Sequence, residues 1–315
     1  MPRPSRLLIL AAFAALYVIW GSTYLAILFA IETIPPLLMA GTRFLLAGFI
    51  MYAIARAQGA PHGSLANWRT ALIIGACLLL GGNGGVTLAE QYVPSGLASV
   101  MVATVPIYIA LLAWWSGIAP RPTPIVWLGL AGGFVGVAIL LWPALYFSPD
   151  ESKHPGIGMI ILLFSSFIWS AGSIYSRKAK SASPPLLLAG QQMICGGALL
   201  ALVGLLMGEH HRFDASRISP LSIGAFVYLV IIGALVGYTA YIFLLRHCEP
   251  AKVATYAYVN PIVAVLLGSL FAGETLSART VLAAGLIIGS VALVITVQQA
   301  KSKTMPADVV CAPAD

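Results

Sequence analysis

The chain has 315 residues, of which 60% are hydrophobic and only 9% charged, and its mean hydropathy is +0.94. Soluble domains carry about 25% charged residues, so a water-soluble enzyme or binding module is excluded. The net charge of +7 comes without a basic face or an aromatic-basic module, which argues against nucleic acid as a partner.

In chain order, uncharged stretches run over Leu7–Ile31, Thr70–Ala89, Gln91–Pro120, Pro122–Pro149, Pro155–Ser176, Ser183–Gly208, Ile218–Leu245, Val253–Gly273 and Thr280–Ala300. Each can supply the roughly 20 apolar residues that cross a bilayer core. A further stretch, Ile34–Ala55, does so with Arg43 inside it. Because lipid-facing backbone must satisfy its own hydrogen bonds, the expected fold is an all-α membrane protein of ten transmembrane helices. The first stretch follows Arg3 and Arg6 as a secretory leader would, but its apolar run is long and more spans follow, so it is expected to remain as the first helix.

Lys and Arg set the orientation. With the N-terminus inside, the inner segments hold Arg3, Arg6, Arg56, Arg69, Arg121, Arg177, Lys178, Lys180, Arg246, Lys252, Lys301 and Lys303, against only Lys153, Arg212, Arg217 and Arg279 outside. Both termini are therefore expected in the cytoplasm.

The chain repeats itself. Ile34-Pro35-Pro36-Leu37-Leu38-Met39-Ala40-Gly41 returns as Ser183-Pro184-Pro185-Leu186-Leu187-Leu188-Ala189-Gly190, an offset of 149 that also superposes Ile19-Trp20 on Ile168-Trp169 and Gly48 on Gly197. Pro106-Ile107 and Pro261-Ile262 continue the correspondence after a one-residue gap. Residues 1–147 then form one five-helix repeat, 155–300 a second, and 301–315 a cytoplasmic tail. Five crossings per copy is odd, so the second copy enters from the opposite side, an inverted repeat of the kind secondary transporters use around a midplane site.

Few residues inside the spans are polar enough to meet a solute. Arg43 lies about 10 Å below the end of its span at 1.5 Å per residue. Intramembrane charge is costly, so Arg43 faces a cavity, snorkels to the interface or pairs with Glu90. By the repeat, Thr42-Arg43 falls on Gln191-Gln192, which makes Gln192 a hydrogen-bonding candidate. Asn83 sits within Gly81-Gly82-Asn83-Gly84-Gly85, where each glycine weakens a helix by roughly 1 kcal/mol relative to Ala; local unwinding beside a cavity is expected there. Tyr256, Tyr258 and Asn260 crowd the span that holds Pro261, and Tyr238 and Tyr241 add rings to the same half. Such side chains combine an apolar body with a polar tip. Trp20 and Trp169 sit mid-span as pocket wall or core. The Gly132/Gly136 and Gly285/Gly289 pairs are expected at helix–helix contacts. Among the carboxylates, Glu90 is the candidate for coupling to protons, and uncoupled facilitation fits the sequence at least as well as proton exchange.

Catalytic and metal chemistry find no support. There is no His-Glu-x-x-His, no Gly-x-Ser-x-Gly and no Walker sequence, and the four cysteines (Cys77, Cys195, Cys248, Cys311) show no paired spacing. No catalytic residue, metal site or cofactor is expected.

Ile19-Trp20-Gly21-Ser22-Thr23-Tyr24, Pro35-Pro36 followed by Ala40-Gly41-Thr42-Arg43-Phe44, and Tyr258-Val259-Asn260-Pro261 followed by Gly273-Glu274-Thr275-Leu276 together resemble the EamA family of the drug/metabolite transporter superfamily. The resemblance spans about residues 5 to 300. It implies a ten-helix inner-membrane carrier with a central cavity, often an exporter of amino acids, related metabolites or drugs. One departure is that Gly273-Glu274 has no counterpart after the fourth span, where Trp115-Ser116-Gly117-Ile118 stands; Glu274 is expected to cap the loop before span ten.

The sequence reading is thus an alternating-access secondary transporter that moves small, zwitterionic organic solutes outward. Arg43 would hold a carboxylate, Asn83, Gln192 and Asn260 would hydrogen-bond, and Trp169, Tyr238, Tyr256 and Tyr258 would form the wall. Its partners are a small organic solute and the lipid bilayer, with the protein a monomer or homodimer. The alternatives are a nucleotide-sugar or sugar-phosphate carrier of the same superfamily, or a membrane scaffold or lipid-handling protein.

Overall fold

The structure is a computed structural model that describes residues 5–118, 121–146, 154–179, 184–247, 253, 256–274 and 277–304. The described residues are helical and contain no strand. In chain order they form α1 (Arg6–Ile31), α2 (Pro36–Ala57), α3 (Leu65–Gly75, continued by Ala76–Gly84 and Gly85–Ala89), α4 (Ser95–Val102 and Val105–Trp115), α5 (Pro124–Tyr146), α6 (Pro155–Lys178), α7 (Pro185–Leu206), α8 (Pro220–Tyr228, Leu229–Val236 and Gly237–His247), α9 (Tyr256–Phe271) and α10 (Ala278–Thr304). Seven of these, α1–α4 and α6–α8, are long and apolar enough to cross a membrane, and shorter apolar helices cover Pro124–Ile139, Val259–Phe271 and Ala278–Leu293.

The starts of these helices are written in the sequence. Proline occupies the first turn of α2, α6, α7 and α8, where its missing N–H costs nothing and its fixed φ already suits a helix. Ser5, Ser64 and Ser219 cap α1, α3 and α8 by accepting the amides of Leu8, Asn67 and Ser222. Long apolar side chains such as Phe49, Leu128, Phe134, Leu266 and Phe271 are left exposed on the outside of the bundle, the surface a lipid-facing protein presents.

The two halves interlock. α2 lies along α7 so closely that a Cβ on Gly48 would stand 2.8 Å from the Ile194 amide nitrogen and one on Gly190 2.8 Å from that of Tyr52. Gly41 and Gly197 make equivalent approaches to Ala201 and Leu45. These four glycines are two repeat-related pairs, so the contact is built symmetrically from both copies. The first helix of each half packs against the other half: α1 contacts α8 and α9, while α6 contacts α3 and α4. α5 lies along α10, where a Cβ on Gly136 would meet Ile287 and the Ala283 carbonyl. The expected glycine pairing holds on one side only, since Gly285 and Gly289 have nothing within 4 Å.

Two glutamates tie the halves at one end of the bundle. Glu209, buried beyond the end of α7, accepts the Leu37 and Leu38 amides at 3.1 and 2.9 Å. Glu274, beyond α9, accepts the Ser95 amide and hydroxyl, both at 2.7 Å, and the Gly96 amide at 2.9 Å. Both carboxylates thus satisfy free donors at the first turns of α2 and α4, where the helix dipole favours negative charge. The expected cap on the loop before α10 is therefore corrected: Glu274 caps α4. Each follows a glycine with positive φ, +77° at Gly208 and +63° at Gly273, and the equivalent turns after α2 and α4 keep the glycine (Gly59, +85°; Gly117, +72°) but follow it with Ala60 and Ile118.

Gly48→Ala should destabilise the protein by roughly 1–3 kcal/mol because its new methyl meets backbone that cannot yield, whereas Gly285→Ala should be neutral or slightly stabilising. Thermal unfolding of both variants in detergent checks this; equal midpoints would contradict the interlock. Glu209→Ala should cost about 0.5–2 kcal/mol, as lost helix caps do, read in the same assay.

Candidate functional site

A cavity of about 480 Å³ lies between the two halves. Its wall takes residues from α1, α2, α3, α4, α6, α7, α8 and α9, so neither half closes it alone.

Two wall segments depart from regular α-helix. Ala76–Gly84 in α3 and Leu229–Val236 in α8 are wound as π-helix, and these are the third helices of the two repeats. The expected unwinding around Asn83 is corrected here. The backbone stays helical but wider, a form common at functional sites, and Gly82, Asn83, Gly233 and Ala234 line the cavity from it. The glycines also let α6 approach: a Cβ on Gly81 or Gly82 would lie 2.5 Å from Ile168 or Trp169.

Arg43 is 3% exposed and lines the cavity. It neither snorkels out nor pairs with Glu90: the sole ion pair among the described residues is Arg217–Asp214, in a surface turn. Its Nη2 donates to Asn83 Oδ1 at 3.2 Å, its guanidinium carbon sits 4.3 Å from the centre of the Phe44 ring, and its Nε has no hydrogen-bond partner. Asn83 joins the wall beside it, and its carbonyl accepts from Thr87.

Deeper along the cavity, Trp20, Tyr238 and Tyr256 line the wall and pack with Tyr241, which stands behind them, as an aromatic cluster. Trp20 stands 5.2 Å from Tyr241 and 5.0 Å from Tyr256, with Tyr238–Tyr241 at 5.9 Å and Tyr241–Tyr256 at 6.2 Å between ring centres. Tyr238 donates to Gln192 Oε1 at 3.3 Å. With its amide assigned so that the nitrogen faces them, Asn260 donates to the Tyr17 and Tyr256 carbonyls at 3.3 and 3.2 Å, and Pro261 beside it frees helix backbone.

The sequence candidates divide accordingly. Arg43, Asn83, Trp169, Tyr238, Tyr256 and Asn260 line the cavity. Gln192 stands behind Tyr238 as its acceptor rather than among the wall residues. The side chain of Tyr258 lies outside the described residues. Glu90 is 3% exposed, with no hydrogen-bond partner for either carboxylate oxygen among the described residues. It is not a wall residue but lies within electrostatic reach of Tyr24, Arg43 and Glu274. Sequence reasoning passed over Tyr24, Phe44, Pro106, Ser165, Ser166 and Arg177, all of which line the cavity. A usable signal existed for three of them: Ser165-Ser166 is a mid-span hydroxyl pair just before Trp169, and Pro106 is the repeat mate of Pro261.

Comparison with known proteins agrees with this architecture. The profile of the EamA-like transporter family matches residues 6–142 and again 156–296. The uncharacterized inner membrane transporter YedA of Escherichia coli (strain K12) is 40% identical over 90% of this chain and 89% of its own length. The probable amino-acid metabolite efflux pump of Salmonella typhimurium is 26% identical, with 86% of this chain and 91% of that protein covered. A solved crystal structure at 21% identity matches 94% of the chain and all of that structure's chain with a TM-score of 0.63, which supports the fold. With a cavity shared by two matching halves and both halves recognised by one family profile, the chain belongs to the EamA-like transporter family.

Proposed function

We propose that the protein is a ten-span secondary carrier of the inner membrane, with both termini in the cytoplasm, that exports amino acids or related small carboxylated metabolites by alternating access. The observation that carries this reading is the cavity between the halves, whose wall needs both. Its 480 Å³ falls in the range of about 300–1,000 Å³ typical of small-molecule sites. Repeat-related helices on opposite walls supply what a rocking carrier needs, a site each half can close in turn. The printed name of the Salmonella relative supports the outward direction and the solute class.

In this reading Arg43 receives a carboxylate, Asn83 holds the guanidinium in place, and Asn260 and Gln192 orient polar groups around the aromatic wall of Trp169, Tyr238, Tyr256 and Tyr258. Glu90 is the group through which a proton gradient acts. A buried carboxylate without a partner gains from a change of surroundings or of protonation, and rearrangement of the halves supplies such a change. Sugar-phosphate transport is the weaker reading because the wall holds only Arg43 and Arg177 as cations among the described residues.

Arg43→Ala should weaken solute binding by about 10–100-fold, the worth of a lost hydrogen bond to a charged group of roughly 1.5–3 kcal/mol, and Asn260→Ala by less. Counterflow in proteoliposomes reads both, and unchanged transport in the two variants would remove them from the site. Glu90→Gln should abolish any stimulation of flux by a proton gradient while leaving gradient-free exchange. The comparison is made in liposomes with and without an imposed pH difference, and a stimulation that survives in E90Q rules Glu90 out.

A further inference from the structure

The cavity wall holds two guanidinium groups and, among the described residues, no carboxylate. Arg43 is buried within it and Arg177 is exposed near the end of α6. A buried cation normally needs an anionic partner and a full set of hydrogen-bond acceptors. Arg43 has one neutral acceptor, Asn83 Oδ1, and a ring face at 4.3 Å. Its Nε is left without a partner, as is the buried hydroxyl of Ser166 on another wall helix, α6. Glu90 acts on Arg43 only at longer range, with no N···O contact within 4.0 Å. The cavity therefore presents a guanidinium with an unmet donor and, elsewhere on its wall, an unmet hydroxyl.

The rings of Trp20, Tyr238 and Tyr256 line the same space. Trp20 is eleven residues from the Ile31 end of α1, about 16 Å at 1.5 Å per residue, against about 10 Å for Arg43 from the start of α2. That separation suits one ring joined to one carboxylate by a short chain. An ammonium group meets ring faces that attract cations, but it finds no carboxylate on the described wall and two guanidinium groups that repel it.

We infer that the solute is a net anion, a monocarboxylate on an aromatic body without an ammonium group. Its carboxylate completes Arg43, and its ring lies against the lining rings of Trp20, Tyr238 and Tyr256. Arg177 draws the anion toward the cavity by the field it adds. The inference rests on the carrier reading above and, within its solute class, sets amino acids aside in favour of related carboxylates.

The test compares 3-phenylpropanoate, phenylalanine and 2-phenylethylamine, which share ring and chain length and differ in charge. Quenching of intrinsic tryptophan fluorescence in the purified protein reads binding, and counterflow in proteoliposomes reads transport. Phenylpropanoate is expected to bind at least tenfold more tightly than the other two, with propanoate, which lacks the ring, far weaker. Arg43→Gln is expected to erase the preference for the anion, and its unfolding midpoint checks that it folds. If phenylalanine or phenylethylamine binds as tightly as phenylpropanoate in the unaltered protein, or if none of the three saturates, the inference is overturned. If the binding order is as expected but none of the compounds crosses the liposome, the site stands and the carrier reading fails.

Discussion

Everything in this molecule depends on how closely α2 and α7 approach. Gly41 and Gly48 on one helix, and Gly190 and Gly197 on the other, let backbone meet backbone across the junction of the halves. Helices in lipid gain little from burying apolar surface, so packing through small residues and polar contacts must hold them together. The same approach fixes where the nearby polar residues point. Arg43 is two positions beyond Gly41, and Gln192 two beyond Gly190, so the junction that joins the repeats also delivers one polar group from each.

The symmetry of that junction is broken by chemistry. Arg43 lines the cavity beneath Asn83, while its repeat mate Gln192 backs Tyr238. The four positive-φ glycines that end α2, α4, α7 and α9 keep one backbone design, but only Gly208 and Gly273 are followed by a carboxylate that binds the other half. One end of the bundle is therefore laced by two carboxylate caps, while at the other Lys178 of α6 donates to the Ser116 carbonyl that ends α4. Two repeats can share a fold and a rocking axis while presenting different affinities to the two sides.

Buried groups left without partners are concentrated around this junction and its cavity. Arg43 Nε, Ser166 Oγ, both oxygens of Glu90 and both amide atoms of Gln191 lack partners among the described residues. A structural core would satisfy such atoms, because each orphaned polar group costs about 1–3 kcal/mol. In a carrier the cost can be relieved by a solute, a proton or the opposite conformation, and tolerance of the penalty is a physical trace of function.

The sequence alone made legible the helical class, the near-duplicate halves and the few polar and aromatic side chains that stand out on the cavity wall. Hydropathy marks helices in lipid strongly, and an offset of 149 carries residue identity from one half to the other. It could name Arg43, Asn83, Trp169, Tyr238, Tyr256 and Asn260, because polar and aromatic side chains inside apolar spans stand out. Tertiary structure alone decided whether Arg43 met Glu90, that Glu274 reached α4 from another repeat, and that the Asn83 segment widened into a π-helix instead of unwinding. Those outcomes depend on distances between residues far apart in the chain, and on which neighbour fills the space a glycine leaves. Neither is encoded in the spacing of one helix.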